Sequence, residues 1–322
     1  GLNVLRVMEQ AEQVAARLRA ARPASEARLQ DEPVVALLAV RGAPRILFNV
    51  HLDTVPAAPG WTGNPLQLRI TEDKAIGLGA CDIKGAAAAL LAAAGVTQGD
   101  AAFLFSTDEE ANDARCIAGF LRTGHGFNDV IVSEPTGCRA VLAHRGITSA
   151  QVGFTGTSGH ASKLADPMQS AVHQALRWGG AALDYAAKHS HERFGGLTGM
   201  PFNVGKMQGG IKANMIAAEA GLRIGFRPLP TQSLPELHAG FATLLPGTAV
   251  DYQVTFAGSA LPAGDTAMAE SRRLQARDFA EGLGLPIGHA VDFWTEAALF
   301  SQAGLNALVF RPGDIAQAHS AD

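Results

Sequence analysis

The chain has 322 residues, 47% hydrophobic and 17% charged, enough apolar material for a sizeable core and two domains. Its net charge of −4 comes from interspersed acids and bases, and only 6% of the residues are aromatic. Both features argue against nucleic acid or an anionic membrane as a partner. The longest apolar run, Gly85 to Val96, is too short to span a bilayer. Cys81, Cys116 and Cys138 are scattered and form no disulfide framework, so a reduced, cytoplasmic setting is expected. Cys81 reads as a small residue buried in a tight turn rather than as a soft metal ligand.

Leu2, Leu5, Met8, Ala11, Val14, Ala15 and Leu18 recur at helical spacing, with Arg6, Glu9, Glu12 and Arg17 among them. This reads as an amphipathic helix and not as a signal peptide. A helical pattern at the very start and a candidate ligand three residues from the finish give the look of a trimmed chain. Pro23 to Asp31 is polar loop. Strands are predicted over Pro33 to Val40 and Arg45 to Val50, joined by the turn Arg41-Gly42-Ala43-Pro44. The second strand ends on His51 and Asp53, which alternation points to the same side. On its own such a histidine is better explained by a capped strand end.

Pro56 to Pro65 reads as a stiff loop around Trp61 at the mouth of a site. Gly77 to Gly85 leads into an alanine-rich helix and lacks the Gly-Lys-Ser/Thr ending of a phosphate loop. A buried strand, Ala101 to Ser106, runs into Thr107-Asp108-Glu109-Glu110. A helix over Ala114 to Thr123 and a strand over Asp129 to Ser133 follow, and Glu134 comes next. Strands alternating with helices predict an α/β fold. Its mixed or parallel sheet is covered by helices on both faces, and ligands sit beyond the strands' carboxyl ends.

From Gly146 the order changes. Strand (Ile147 to Thr155), helix (Met168 to Lys188), strand (Phe202 to Met207), strand (Met215 to Arg227), helix (Leu234 to Leu244) and strand (Ala249 to Phe256) follow. That is a β-α-β-β-α-β, ferredoxin-like unit able to close on itself. The first pattern then resumes with a helix over Thr266 to Leu283, a strand before Asp292, a short helix after Thr295 and a strand over Ala307 to Phe310. Residues 146–258 are therefore expected to be an insertion into a domain built from 1–145 and 259–322.

His51, Asp82, Glu109, Glu110, Glu134 and a late His319 look like a two-metal hydrolase site. Imidazoles and hard carboxylates suit zinc, cobalt or manganese, and no thiolate cluster points to a zinc finger. Two ions roughly 3.5–4 Å apart need one bridging ligand, which a carboxylate can be, and would lower a water's pKa toward ~7. A further carboxylate must carry that water's proton to the leaving nitrogen. Adjacent Glu109 and Glu110 allow this division: one binds metal, the other stays free. The alternative for the pair is a solvated acidic helix start.

His51-Leu52-Asp53-Thr54-Val55-Pro56, Gly77 to Gly85, Asp108-Glu109-Glu110, Glu134-Pro135 and His160 together resemble the M20 metallopeptidase/deacylase family over essentially the whole chain. The resemblance implies His51 and Glu134 on one metal, His319 and Glu110 on the other, and Asp82 bridging, with Zn²⁺ or Co²⁺ as cofactor. It implies Glu109 as general base and Asp53 as the residue orienting His51. His160 would reach a neighbouring subunit's site and steady the oxyanion, so a homodimer through the inserted lid is expected. Asn214 and Arg227 would meet the substrate's carboxylate. Read as structure alone, His160 is a turn histidine and Arg227 a surface strand-end arginine.

Four stretches narrow the resemblance: Val141 to Ile147, Arg193 to Gly199, Gly209 to Ile216 and Asp292 to Ala297. They draw it to members that deacetylate N-acetyl-L-citrulline in arginine biosynthesis. Acetylornithine, other N-acyl amino acids and dipeptides are the alternative substrates, and a metal-dependent binding protein without turnover is the non-enzyme reading. Trp294-Thr295-Glu296 departs from the Gly/Ser-Thr-Asp usual in the family, which predicts a pocket narrowed by Trp294. His144 reads as hinge packing; His125, His173, His189, His191, His238 and His289 read as surface or helix residues.

Overall fold

The computed structural model describes residues 36–111 and 114–321. The predicted first helix and the start of the first strand, through Val35, lie outside the described residues. The chain divides into two compact units. One is Gly1–Leu142 with Arg272–Gly288 and Thr295–Asp322; the other is Ala143–Ser271 with His289–Trp294.

In chain order the first unit contributes β1 (Leu37–Arg41), β2 (Ile46–His51), α1 (Gly85–Val96), β3 (Ala101–Ser106), α2 (Arg115–Leu121) and β4 (Asp129–Val132). The second follows with β5 (Ile147–Thr155), α3 (Ala171–Lys188), β6 (Phe202–Gly209), β7 (Glu219–Phe226), α4 (Leu234–Ala242) and β8 (Val250–Gly258). Helix α5 (Thr266–Gly282) begins in the second unit and ends in the first, where α6 (Ala297–Gln302) and β9 (Asn306–Val309) complete the chain.

The first unit's sheet has the order β1-β3-β2-β4-β9 and is mixed. β2, β3, β4 and β9 run parallel, and β1 is an antiparallel edge. Alternation sorts the side chains between two faces. Phe48 and Val50 of β2 join Phe103 and Phe105 of β3 under the small alanines of α1. Ile131 and Leu308 meet Ala276 and Ala280 of α5 on the same face. Leu47, Asn49 and His51 point the other way, where Phe120 of α2 meets Phe300 of α6 edge-on at 6.2 Å. With four parallel strands, the carboxyl ends gather on one edge. His51 lies level with Ser106, and Val132 level with Val309.

The second unit's sheet is antiparallel, in the order β6-β7-β5-β8. Alternate residues of β5 and β7 are buried, so one face packs on α3 and α4 through Trp178 and Phe241. The predicted strand Met215 to Arg227 is broken in two. Met215–Ile216 pairs with Gly159–His160, while Glu219–Phe226 enters the sheet. Between them the carbonyls of Ala217 and Ala218 turn away to accept from Ala171 and Gly156. The strand expected before Asp292 shrinks to bridges of Ile287 with Ala140 and of Val291 with His144. Pro286 has no N–H to extend that ladder. Among the described residues no helix is long and apolar enough to cross a membrane.

Candidate active site

Sequence neighbours at four parallel strand ends converge in the first unit. β2 delivers His51 and then Asp53; β3 runs into Glu109 and Glu110; β4 into Glu134; β9 into Arg311. Asp82 arrives from the single turn Ala80–Lys84 ahead of α1, whose entry depends on Gly79. Gly79 has φ +78°, and a side chain there would stand 2.6 Å from Thr54 Cγ2 and 2.8 Å from Lys84 Nζ.

Asp82 lies between two histidines. Its Oδ1 is 3.2 Å from His51 Nε2 and its Oδ2 3.4 Å from His319 Nε2. His51 Nε2 also lies 3.4 Å from Glu134 Oε1, and His319 Nε2 lies 2.9 Å from Glu110 Oε1. Asp53 ties the two halves together. Its Oδ1 is 3.4 Å from His51 Nδ1, while its Oδ2 accepts from the Glu110 backbone N–H at 2.8 Å. His51, Asp82 and Glu134 are buried, whereas the His319 side chain is 53% exposed. A cavity of about 740 Å³ opens beside Asp82, Glu110 and His319, with Trp61 on its wall.

Electrostatics state what this arrangement lacks. Burial disfavours a charged His51, yet Glu134, Asp53 and Asp82 outweigh it and raise its pKa well above the ordinary value. Burial, then the charge of Glu134, push Glu109 well up, with His51 pulling the other way. Glu134 is also raised, by burial first, against His51 and Arg311. Asp82 alone ends low: its burial is overcome by His51, His319 and Arg311. A crowd of acids facing two imidazoles calls for more positive charge. One donor atom each from His51, Asp82 and Glu110 lie within 4.8 Å of one another. Hard oxygens and imidazole nitrogens at that spacing fit a divalent cation.

Two participants escaped the sequence reading. Arg311 is buried and donates through a guanidinium nitrogen to the Cys81 carbonyl, bracing the turn that carries Asp82. Cys81 itself is half-exposed, not buried as expected, because its Sγ reaches out toward the Asp314 carbonyl at 3.5 Å. Glu296, buried ahead of α6, accepts from Ser106 Oγ at 2.8 Å, and burial pushes its pKa up to about 8. A carboxyl raised from 4.5 to about 8 stabilises the fold below pH 4.5 and loses that contribution as pH climbs through 8. In chelator, the melting temperature should therefore fall between pH 5 and pH 8, and Glu296→Gln should flatten that slope. An equally steep slope in the variant would remove Glu296 as its source.

The remaining candidates lie in the second unit. His160 is exposed, its Nδ1 2.8 Å from Ser162 Oγ, and the Ala161 N–H bonds the Asn214 carbonyl at 3.0 Å, so these two sit together. Arg227 does not join them. Asn214 precedes β7 and Arg227 follows it, on either side of an eight-residue strand. Arg227 is half-buried, and its guanidinium bonds none of the described residues. His144 is fully buried, with Nδ1 2.8 Å from the Arg145 carbonyl. His238 is not a plain surface residue: Thr148 and Tyr252 hold both of its nitrogens.

Comparison with known proteins agrees with this geometry. The family described as peptidase family M20/M25/M40 matches residues 47–322. N-acetyl-L-citrulline deacetylase of Xanthomonas campestris pv. campestris is 59% identical over 307 residues, covering 95% of this chain and 84% of that one. Acetylornithine deacetylase of Edwardsiella ictaluri is 28% identical over 289 residues, covering 87% and 75%. The crystal structure of an M20 family metallo-carboxypeptidase, Sso-CP2 from Sulfolobus solfataricus, superposes with a TM-score of 0.64 at 14% identity. That match covers 90% of this chain and 82% of the other and reports on the fold.

Proposed function

The chain belongs to peptidase family M20/M25/M40, and from that membership we propose that it hydrolyses N-acetyl-L-citrulline to citrulline and acetate. The observation that carries the reading is Asp82 between two histidines, each with its own glutamate. The 59% identity to a deacetylase of that substrate supports the choice of acyl amino acid. Arginine biosynthesis in the cytoplasm is the setting that follows.

In this reading His51 and Glu134 would hold one divalent ion, His319 and Glu110 the other, and Asp82 would be shared. Zn²⁺ or Co²⁺ would supply Lewis acidity toward the amide carbonyl and lower a water's pKa toward ~7. Glu109 takes the proton of the attacking water and delivers it to the departing nitrogen, a task suited to a carboxyl whose pKa burial raises well above its ordinary value. Asp53 fixes the His51 ring from behind while holding the Glu110 backbone. Arg227, a half-buried cation with no hydrogen bond to a described residue, takes the substrate's carboxylate.

Asn214 and Arg227 lie on either side of the eight-residue strand β7, and in this reading they meet one carboxylate from two subunits. That calls for a homodimer in which the residue 146–258 segment acts as lid and interface, with His160 of the partner subunit steadying the oxyanion. Protein loaded with Zn²⁺ or Co²⁺ should release citrulline from N-acetyl-L-citrulline at least about tenfold faster than ornithine from N-acetyl-L-ornithine, the difference that one unmatched polar contact makes. Equal rates would overturn the substrate choice, and no turnover on any N-acyl amino acid would overturn the reaction.

A further inference from the structure

We infer that Arg145 is a positioning residue for Arg227, acting through Asp292 and the Thr198–Gly199 turn to hold the substrate-binding guanidinium in place. The inference rests on the reading of Arg227 as the carboxylate contact and names what aims it. Arg145 is only 4% exposed, and each of its three guanidinium nitrogens makes a hydrogen bond. Nε bonds Asp292 Oδ1 at 2.5 Å, one terminal nitrogen bonds the Gly199 carbonyl at 2.5 Å, and the other the Thr198 carbonyl at 2.7 Å. A guanidinium so enclosed has no route to a ligand of its own.

Every one of those partners leads to Arg227. The turn that Arg145 clamps continues through Met200 to Pro201, whose carbonyl accepts the Arg227 backbone N–H at 2.9 Å. On the other side, the Gly146 N–H, next along from Arg145, donates to the Pro228 carbonyl at 2.9 Å. Gly146 permits this approach because a side chain there would lie 2.9 Å from Pro228 Cγ and 2.9 Å from the Gly258 carbonyl. The backbone of Arg227-Pro228 is thus pinned on both flanks by the segment that Arg145 anchors.

Asp292 completes the arrangement electrostatically. Burial lowers the Arg227 pKa and the Asp292 carboxylate pulls it back up. Asp292 is itself 80% exposed, bonded to Arg145 on one side and close enough to Arg227 to be felt. Two guanidiniums and one carboxylate leave a single uncompensated positive charge, on the one arginine with its hydrogen-bonding edge unspent. That matches the single carboxylate of an N-acyl amino acid. Three of the sequence stretches that narrow the family resemblance, around Arg145, Gly199 and Asp292, thereby acquire a common purpose.

The test uses the metal-loaded enzyme with N-acetyl-L-citrulline and with its carboxamide, which lacks the anion. Arg227→Lys, Arg145→Lys and Asp292→Asn should each raise KM for the acid about tenfold, leave kcat within about twofold, and leave kcat/KM for the carboxamide nearly unchanged. Combining Arg145→Lys with Arg227→Lys should add little to either alone. If Arg227→Lys leaves KM for the acid unaltered, the carboxylate reading fails and takes the inference with it. If Arg227→Lys raises KM while Asp292→Asn and Arg145→Lys do not, the positioning role alone is overturned. Equal losses on acid and carboxamide would also overturn it, as the mark of a merely structural residue. Should Arg145→Lys fail to fold, Asp292→Asn, a change at an exposed carboxylate, still decides between these outcomes.

Discussion

Replacing Glu109 with glutamine should cut kcat about a thousandfold while both metal ions stay bound, since general acid–base assistance contributes roughly 10²–10⁴. Glutamine keeps the shape of the side chain and cannot accept a proton. The paired donors around Asp82 are supplied by His51, Glu134, Glu110 and His319, and Glu109 is in none of these contacts among the described residues. Its surroundings raise its pKa well above the ordinary value, through burial first and then the Glu134 charge. Metal content and turnover measured on the same sample separate the two roles. Lost metal would make Glu109 a ligand, and undiminished turnover would end its assignment as base. The variant also probes the subunit arrangement. Mixed in equal amounts with inactive His160→Ala, it should restore about a quarter of the wild-type activity. Half of the dimers are then hybrids, and each hybrid has one site with Glu109 and the partner's His160 both intact. No recovery after confirmed exchange would mean that His160 does not act across an interface.

How much of this was legible in the residues divides along physical lines. Strand ends carry strong local signals. The apolar run Ile46 to Val50 ends on His51, and Ala101 to Ser106 runs into Glu109 and Glu110, so the pattern marks them as strand-end candidates while their roles come from the family resemblance. Sheet character was also legible, because strands alternating with helices constrain the connections. Arg311 and Glu296 were not. Arg311 braces a carbonyl 230 residues away, and Glu296 meets a serine 190 residues away. Nothing local in Phe310-Arg311-Pro312 separates Arg311 from an ordinary loop charge, and Trp294-Thr295-Glu296 stood out as a departure from the family pattern without showing that Glu296 is buried against Ser106. Arg145 was hidden likewise: its three partners lie 53, 54 and 147 residues downstream. The break at Ala217-Ala218 was invisible because apolar alternation runs straight through it, and only the carbonyl partners reveal the turn.

Asp82→Asn and Glu134→Gln should both abolish turnover and the stabilisation conferred by added Zn²⁺, yet move the metal-free protein in opposite directions. Each substitution removes a charge while keeping the shape. With metal at about a hundredfold its dissociation constant, the wild-type protein should gain about 2.7 kcal/mol, and a variant unable to bind should gain none. In chelator the environments differ. Asp82 has a lowered pKa because His51, His319 and Arg311 outweigh its burial. It therefore contributes stability above its ordinary pKa of 3.8, lost as pH falls through the lower folded value, and at pH 7 Asp82→Asn should lower the melting temperature. Glu134 is raised above 4.5, chiefly by burial, so the metal-free fold loses its contribution as pH rises from 4.5 through the higher folded value. Glu134→Gln should raise the melting temperature there. A site selected for folding alone would not keep such a carboxylate; one selected to take up divalent cations would. Thermal scans of the two variants with and without Zn²⁺ decide the matter. If Asp82→Asn still gains the full wild-type increment with metal, Asp82 does not bridge two ions. If Glu134→Gln melts lower than wild type in chelator, the acids around His51 are held for structure instead.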